Sequence, residues 1–170
     1  MACGNNENES INNLVTKFEA ERHDPNLDQQ IQPLLNQYFA VMNHLQEQDS
    51  ADLLLYGSNM VLLADSLAQK KLTTDTATQN RAVQGLMNIQ FEMSAILMES
   101  SPEERMTGAQ MLSLQWIELL ASIGYKKQTI YLFRDKDESF WMGLKNKESN
   151  PYLNEGDVKY NPVQVLQELK

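Results

Sequence analysis

Histidine and methionine are the side chains here whose spacing invites metal chemistry. His23 and His44 are the two histidines. His44 lies between Met42 and Leu45 on a stretch of helical periodicity, and Glu47 follows it by three residues. Glu-x-x-His pairs build di-iron carboxylate sites inside helix bundles. Here the order is reversed and no second Glu/His pair exists, so His44 reads as the polar edge of an apolar face. The nine methionines offer softer chemistry. Thioethers select Cu(I), and they also fill irregular gaps in apolar cores. Met60 and Met93 stand on apolar seams, which favours the core. Met87, Met98 and Met111 fall off the strict seams. Gathered on one surface, those three would make a soft-metal site, and they are the metal alternative in this sequence.

Other chemistry is harder to place. No Cys/His set has zinc-ligand spacing, and no P-loop or GxGxxG is present. Spacing leaves a Ser-His-Asp triad open, but no nucleophile elbow occurs. Glu103/Glu104 and Asp135/Asp137 fall where helix capping and turn formation explain them. The chain therefore reads as non-enzymatic and without a cofactor. Its 14 Lys+Arg against 23 Asp+Glu give a formal charge of −9, which argues against nucleic-acid binding. The imbalance sits in residues 1–124, with 6 basic and 16 acidic side chains, against 8 and 7 in residues 125–170. No apolar run reaches the ~18–20 residues of a membrane span.

Cys3 is the single cysteine, so no internal disulfide forms. It sits in Met1-Ala2-Cys3-Gly4, followed by the polar Asn5-Asn6-Glu7-Asn8-Glu9-Ser10. Small residues around a cysteine, then a polar tether, resemble the start of a mature bacterial lipoprotein. In such proteins the cysteine carries the lipid, and acyl chains supply membrane affinity at about 0.8 kcal/mol per buried methylene. The n- and h-regions of a signal peptide are absent from this sequence. The sequence thus fits a chain trimmed to its mature end, lipid-anchored at Cys3 in the periplasm or at the cell surface. The alternative is a cytoplasmic protein with an incidental cysteine.

The elements that would position these groups are mainly helical. Residues 1–24 read as a polar tether, with Ile11, Leu14, Val15 and Phe18 able to form one or two amphipathic turns. Residues 25–170 read as one domain. The spacing of Ile31, Leu34, Leu35, Tyr38, Met42 and Leu45 predicts a helix from about Asp28 to Gln48, with Pro33 in its first turn or two. Leu53, Tyr56, Met60, Leu63 and Leu67 step by 3 and 4 and predict a second helix over about Ala51–Lys71, its last turn carrying Lys70 and Lys71. Ala82, Leu86, Ile89, Met93 and Ile96 predict a third over about Thr76–Glu99. Ser101-Pro102-Glu103-Glu104 is a capping box opening a fourth, which Gly124 ends. Gly57, Gly85 and Gly108 lie inside these helices, where close helix approach is the usual offset to their cost. The fold class is mainly α: an antiparallel four-helix bundle. Thr129–Phe133 and Phe140–Met142, separated by a polar turn, predict a small C-terminal β-hairpin at about 129–144. Asn161-Pro162 predicts a short terminal helix carrying Val163, Leu166 and Leu169.

The tail carries a resemblance. Residues 140–158, Phe-Trp-Met-Gly-Leu-Lys-Asn-Lys-Glu-Ser-Asn-Pro-Tyr-Leu-Asn-Glu-Gly-Asp-Val, resemble the end of a bacterial periplasmic domain family of unknown function. That family occurs alone, often in Bacteroidetes-type lipoproteins, and attached to copper/silver efflux adaptor subunits. The resemblance covers about residues 35–160, and Trp141 with Asn150-Pro151-Tyr152 is its specific part. It implies the same bundle-and-strand order. Metal-associated members carry Cys-Pro-Met-Ala after the first strand and Met-x-x-Cys-Gly after Asn-Pro-Tyr. Here those stretches read Phe133-Arg134-Asp135-Lys136 and Glu155-Gly156-Asp157-Val158-Lys159-Tyr160. The fold is implied and the copper chemistry is not. Trp141 and Tyr152 read as packing residues. Together these readings point to a cell-envelope lipoprotein that binds a protein or small ligand. Soft-metal binding or copper resistance through methionines is the alternative.

Overall fold

Asp24 opens the first helix of the computed structural model, which describes residues 23–45, 51–135, 139–144 and 151–152 and the backbone of Gln164–Val165. The Asp24 carboxylate accepts from the backbone N–H groups of Asn26 and Leu27 at 3.0 and 3.4 Å. Pro25 follows at the first helical position, where no N–H is needed. Helix α1 therefore runs Pro25–His44, starting three residues before the Asp28 that the apolar spacing suggests. The cap, rather than the first apolar residue, sets the boundary. Pro33 consequently lies inside the helix instead of its first turns. Residues 46–50, where its end was expected, lie outside the described residues.

Three more helices follow, α2 Ala51–Ala68, α3 Thr76–Met98 and α4 Pro102–Ile123. Asp75 caps α3 by accepting from Thr78 N–H at 2.7 Å. Ser101 caps α4 by accepting from Glu104 N–H at 3.1 Å, with Pro102 at the first position. Gly124 ends α4 in the left-handed region at φ 63°, and Tyr125 N–H returns to the Leu120 carbonyl at 3.1 Å. Lys70 and Lys71 lie just past the end of α2 rather than in its last turn.

The helix glycines set the register. A Cβ on Gly57 would stand 2.8 Å from Leu97 Cδ2 and 2.9 Å from Met93 Cε. One on Gly85 would stand 2.8 Å from Leu119 Cδ1, and one on Gly108 2.8 Å from Ile96 Cγ1. Early α2 thus meets late α3, and early α3 meets late α4, so both pairs are antiparallel. At the other end Gln30 Nε2 donates to the Leu72 carbonyl, and His23 Nδ1 lies 3.1 Å from the Gly124 carbonyl. The start of α1 therefore sits beside the ends of α2 and α4. The four seams bury Ile31, Met60, Leu86, Ile89, Met93 and Trp116 together.

After α4, β1 Tyr131–Arg134 and β2 Phe140–Gly143 form an antiparallel hairpin, with Leu132 opposite Met142 and Phe133 opposite Trp141. It packs on α1 and α4. Phe133 stacks on Trp141 at 5.7 Å, and Tyr152 meets Trp141 edge-on at 5.9 Å. The short helix expected after Asn161-Pro162 is corrected at the residues described there. Gln164–Val165 form a third strand, β3, antiparallel to β1. The free edge of β1 offers unpaired backbone groups, and a helix of one or two turns is a weak competitor.

Candidate functional site

Among the described residues, six of the seven exposed large apolar side chains lie on α2 and α3. On α3, Met87, Phe91 and Met98 step by 4 and 7, which aligns them on one line of the helix. That line runs opposite the buried seam of Leu86, Ile89, Met93 and Ile96. Phe91 is 71% exposed and Met98 85%. On α2, Leu55 and Leu62 are seven residues apart on a second outward line, and Leu54 adjoins it. The Gly57 contact fixes the heights of the two lines. Leu54, three residues before Gly57, is level with Met98. Leu62, five residues after it, is level with Phe91. The exposed positions of α1, by contrast, include Asn26, Gln29, Asn36 and Asn43. The hairpin covers the α1–α4 side, and the apolar lines lie on the other.

The α3–α4 corner is acidic. An open cleft of about 410 Å³ is lined by Glu92, Ala95, Glu99, Glu103 and Glu104, among others. Glu103 and Glu104 stand in the first turn of α4, where the helix dipole favours them. Glu99 caps the C-terminal end of α3, whose dipole disfavours it, and no basic residue occupies the last turn of α3. The Glu104 carboxyl lies against Glu99, and its hydrogen bond and charge raise the Glu99 pKa above its ordinary value. Ala95 and Glu99 stand four and eight residues beyond Phe91, so this cleft borders the apolar line.

The candidate metal ligands do not converge. Met87, Met98 and Met111 are all exposed. Met87 and Met98 are separated by eleven helical residues, about 16 Å at 1.5 Å per residue, so one ion cannot touch both sulfurs. Met60 and Met93 are fully buried in the core, as their seam positions predict. His44 stacks on Tyr56 at 5.5 Å, and Glu47 lies outside the described residues. The residues after β1 do not suit copper either. Arg134 is the last residue of β1 and Asp135 follows it, and Asp135 N–H donates to the Ser139 carbonyl at 2.8 Å to close the hairpin turn. A guanidinium and a carboxylate do not make a Cu(I) site. Trp141 and Tyr152 are buried packing residues, and Tyr152 O–H donates to the Phe140 carbonyl at 2.8 Å. Cys3 lies outside the described residues.

Two features escape the periodicity reading. The first is Phe91, which joins Met87 and Met98 into a line; its signal is the second set of apolar residues at 4- and 7-residue spacing, offset from the seam. The second is Asp28, a carboxylate only 2% exposed. It accepts from Lys126 N–H at 2.8 Å, and His23 Nδ1 lies 3.7 Å away. Burial raises its pKa above the usual value. Asp28 ties the start of α1 to the segment following α4. Its neighbours Gln32, Tyr125 and Gln128 continue that tie, with the Tyr125 hydroxyl donating to Gln32 and Gln32 Nε2 donating to Gln128 at 3.1 Å.

No helix among the described residues is long and apolar enough to cross a membrane. Compared with known proteins, the chain matches no family model, no curated protein and no solved structure.

Proposed function

We propose that this chain is a non-enzymatic binding module of the bacterial cell envelope, lipid-anchored through Cys3, that presents the outer face of α2 and α3 to a protein partner. The observation that carries the binding reading is the unequal distribution of exposed apolar side chains. Single exposed apolar residues are ordinary. Here Leu54, Leu55, Leu62, Met87, Phe91 and Met98 fall on two neighbouring helices, and exposed apolar side chains concentrated in this way mark interaction surfaces. Methionine and phenylalanine are enriched, and charge depleted, at the centres of protein interfaces. In α3 only Arg81 and Glu92 are charged over 23 residues. The face is open rather than enclosed, which suits a protein better than a small ligand.

The anchor reading rests on Ala2-Cys3-Gly4, on the polar residues after it, and on the tail's resemblance to lipoprotein-borne domains. Pull-down with the full-length chain tests the binding reading. Partner recovery should be lost with Phe91→Glu and kept with Gln29→Glu, whose position is exposed on α1. Recovery unaffected by Phe91→Glu contradicts it. Fractionation tests the anchor: Cys3→Ser in the precursor should release a membrane-bound protein, and a wild type already in the cytosol contradicts the assignment.

A further inference from the structure

Resting on that binding reading, we infer that the α2–α3 face receives a basic amphipathic helix of a partner protein, its apolar stripe on Phe91 and Met98 and its cations over the carboxylates of Glu99, Glu103 and Glu104. The apolar half of the argument is spacing. Met87, Phe91 and Met98 span about 16 Å, the reach of three helical turns, and amphipathic helices dock through anchors at i, i+3/i+4 and i+7. Leu54, three residues before Gly57 and level with Met98, extends the stripe onto α2 at that end. Methionine adapts to such partners because its side chain is unbranched and polarizable.

The charged half is complementarity. The line ends at Met98, and the next residue is Glu99, which lines one cleft with Glu92, Glu103 and Glu104 and stands on the negative end of the α3 dipole. A lysine or arginine placed there relieves the repulsion and meets the dipole at once. Among the described residues no cation forms an ion pair with Glu92, Glu99, Glu103 or Glu104. The same charge disfavours two other occupants. A second copy carries the same acidic corner and a net charge of −9. The chain's own residues 1–22 hold Lys17 and Arg22 against Glu7, Glu9, Glu19 and Glu21, so they too are acidic.

The test titrates the full-length chain with synthetic amphipathic helices of about 18 residues, five helical turns. One carries leucine and lysine, one leucine and glutamate, one leucine and glutamine. Binding is read by calorimetry and located by amide chemical shifts. The Leu/Lys peptide should saturate, shift residues near Phe91, Met98 and Glu104, and weaken as salt rises. Phe91→Ser and Met98→Ser should each weaken it about tenfold. Glu99→Gln with Glu104→Gln should weaken it similarly and flatten the salt dependence. These side chains are exposed, and circular dichroism checks that the variants stay folded. Equal binding of the Leu/Gln peptide overturns the charge assignment while leaving the docking face standing. Shifts confined to the hairpin or to α1 overturn the inference. So does a chain that dimerises through Phe91 in sedimentation, or one whose face binds the peptide only after residues 1–22 are removed. Failure of all three peptides, beside a partner lost with Phe91→Glu, defeats this inference and not the binding reading.

Discussion

The Tyr38 hydroxyl donates to Ser113 Oγ at 2.7 Å, inside the core between α1 and α4. The direction follows from the neighbours. Ser113 spends its own proton on the Ala109 carbonyl at 2.8 Å, and the Tyr38 oxygen accepts from Met142 N–H at 3.1 Å. One continuous chain of donors thus links β2 to α1 and α1 to α4. Burial pushes the Tyr38 phenol up to about 12, so the proton that holds this chain together stays in place at physiological pH.

Tyr38→Phe keeps the ring and removes the link, leaving a buried Met142 N–H without its acceptor. The expected cost is about 1–3 kcal/mol, read as a lowered urea midpoint with an unchanged slope. An unchanged midpoint would show that the hairpin is not held through Tyr38.

Gly85 and Gly57 should respond differently to alanine. A Cβ at Gly85 would meet Leu119 at Cβ, 3.1 Å, as well as at Cδ1, so the backbone of α4 must give. The expected loss is about 1 kcal/mol, overpacking of ~1–3 kcal/mol less ~1 kcal/mol of helix propensity. At Gly57 the new atom meets the flexible ends of Leu97 and Met93. Gly57→Ala is therefore expected to be neutral or stabilising by up to about 1 kcal/mol. Thermal melts of the two variants, in the same buffer, separate the cases.

Asp28 makes stability fall as pH rises. Its folded pKa lies above the ordinary 3.8 because burial disfavours the charged form. The folded state therefore holds the proton more tightly than the unfolded chain, and stability drops from about 3.8 upward through the folded pKa. Asp28→Asn removes this component while keeping an acceptor for Lys126 N–H. Urea midpoints measured from pH 4 to pH 7 should decline less in the variant than in the wild type. Parallel declines would assign the slope to other groups.

Much of the bundle was legible because its signals are local. Seams stepping by 3 and 4 located the buried lines of the first three helices, though Tyr56 and Leu63 on the second are only half-buried, and Ser101-Pro102 marked a cap that the structure places as expected. Ser101→Ala should cost about 1 kcal/mol, checked by the same urea midpoints. What escaped the sequence depends on residues far apart. Asp28 looks like a helix-start residue until Lys126 closes over it from 98 positions away. Gln164–Val165 follow a helix-start signal, and only the open edge of β1 makes them a strand. Phe91 was invisible as a site residue because an exposed aromatic on one helix means little. It gains meaning from Met87 and Met98 on the same line of α3 and from Leu54 level with Met98 on the next helix, a register set by Gly57 and Leu97.

The binding account stands or falls on the outer face of α2 and α3. The direct measurement is photo-crosslinking in the native host, with a photoreactive amino acid replacing Phe91 in one strain and Gln29 in another. The account predicts a discrete adduct of one partner protein from position 91 and none from position 29. Equal crosslinking from both positions, or none from position 91, would contradict it.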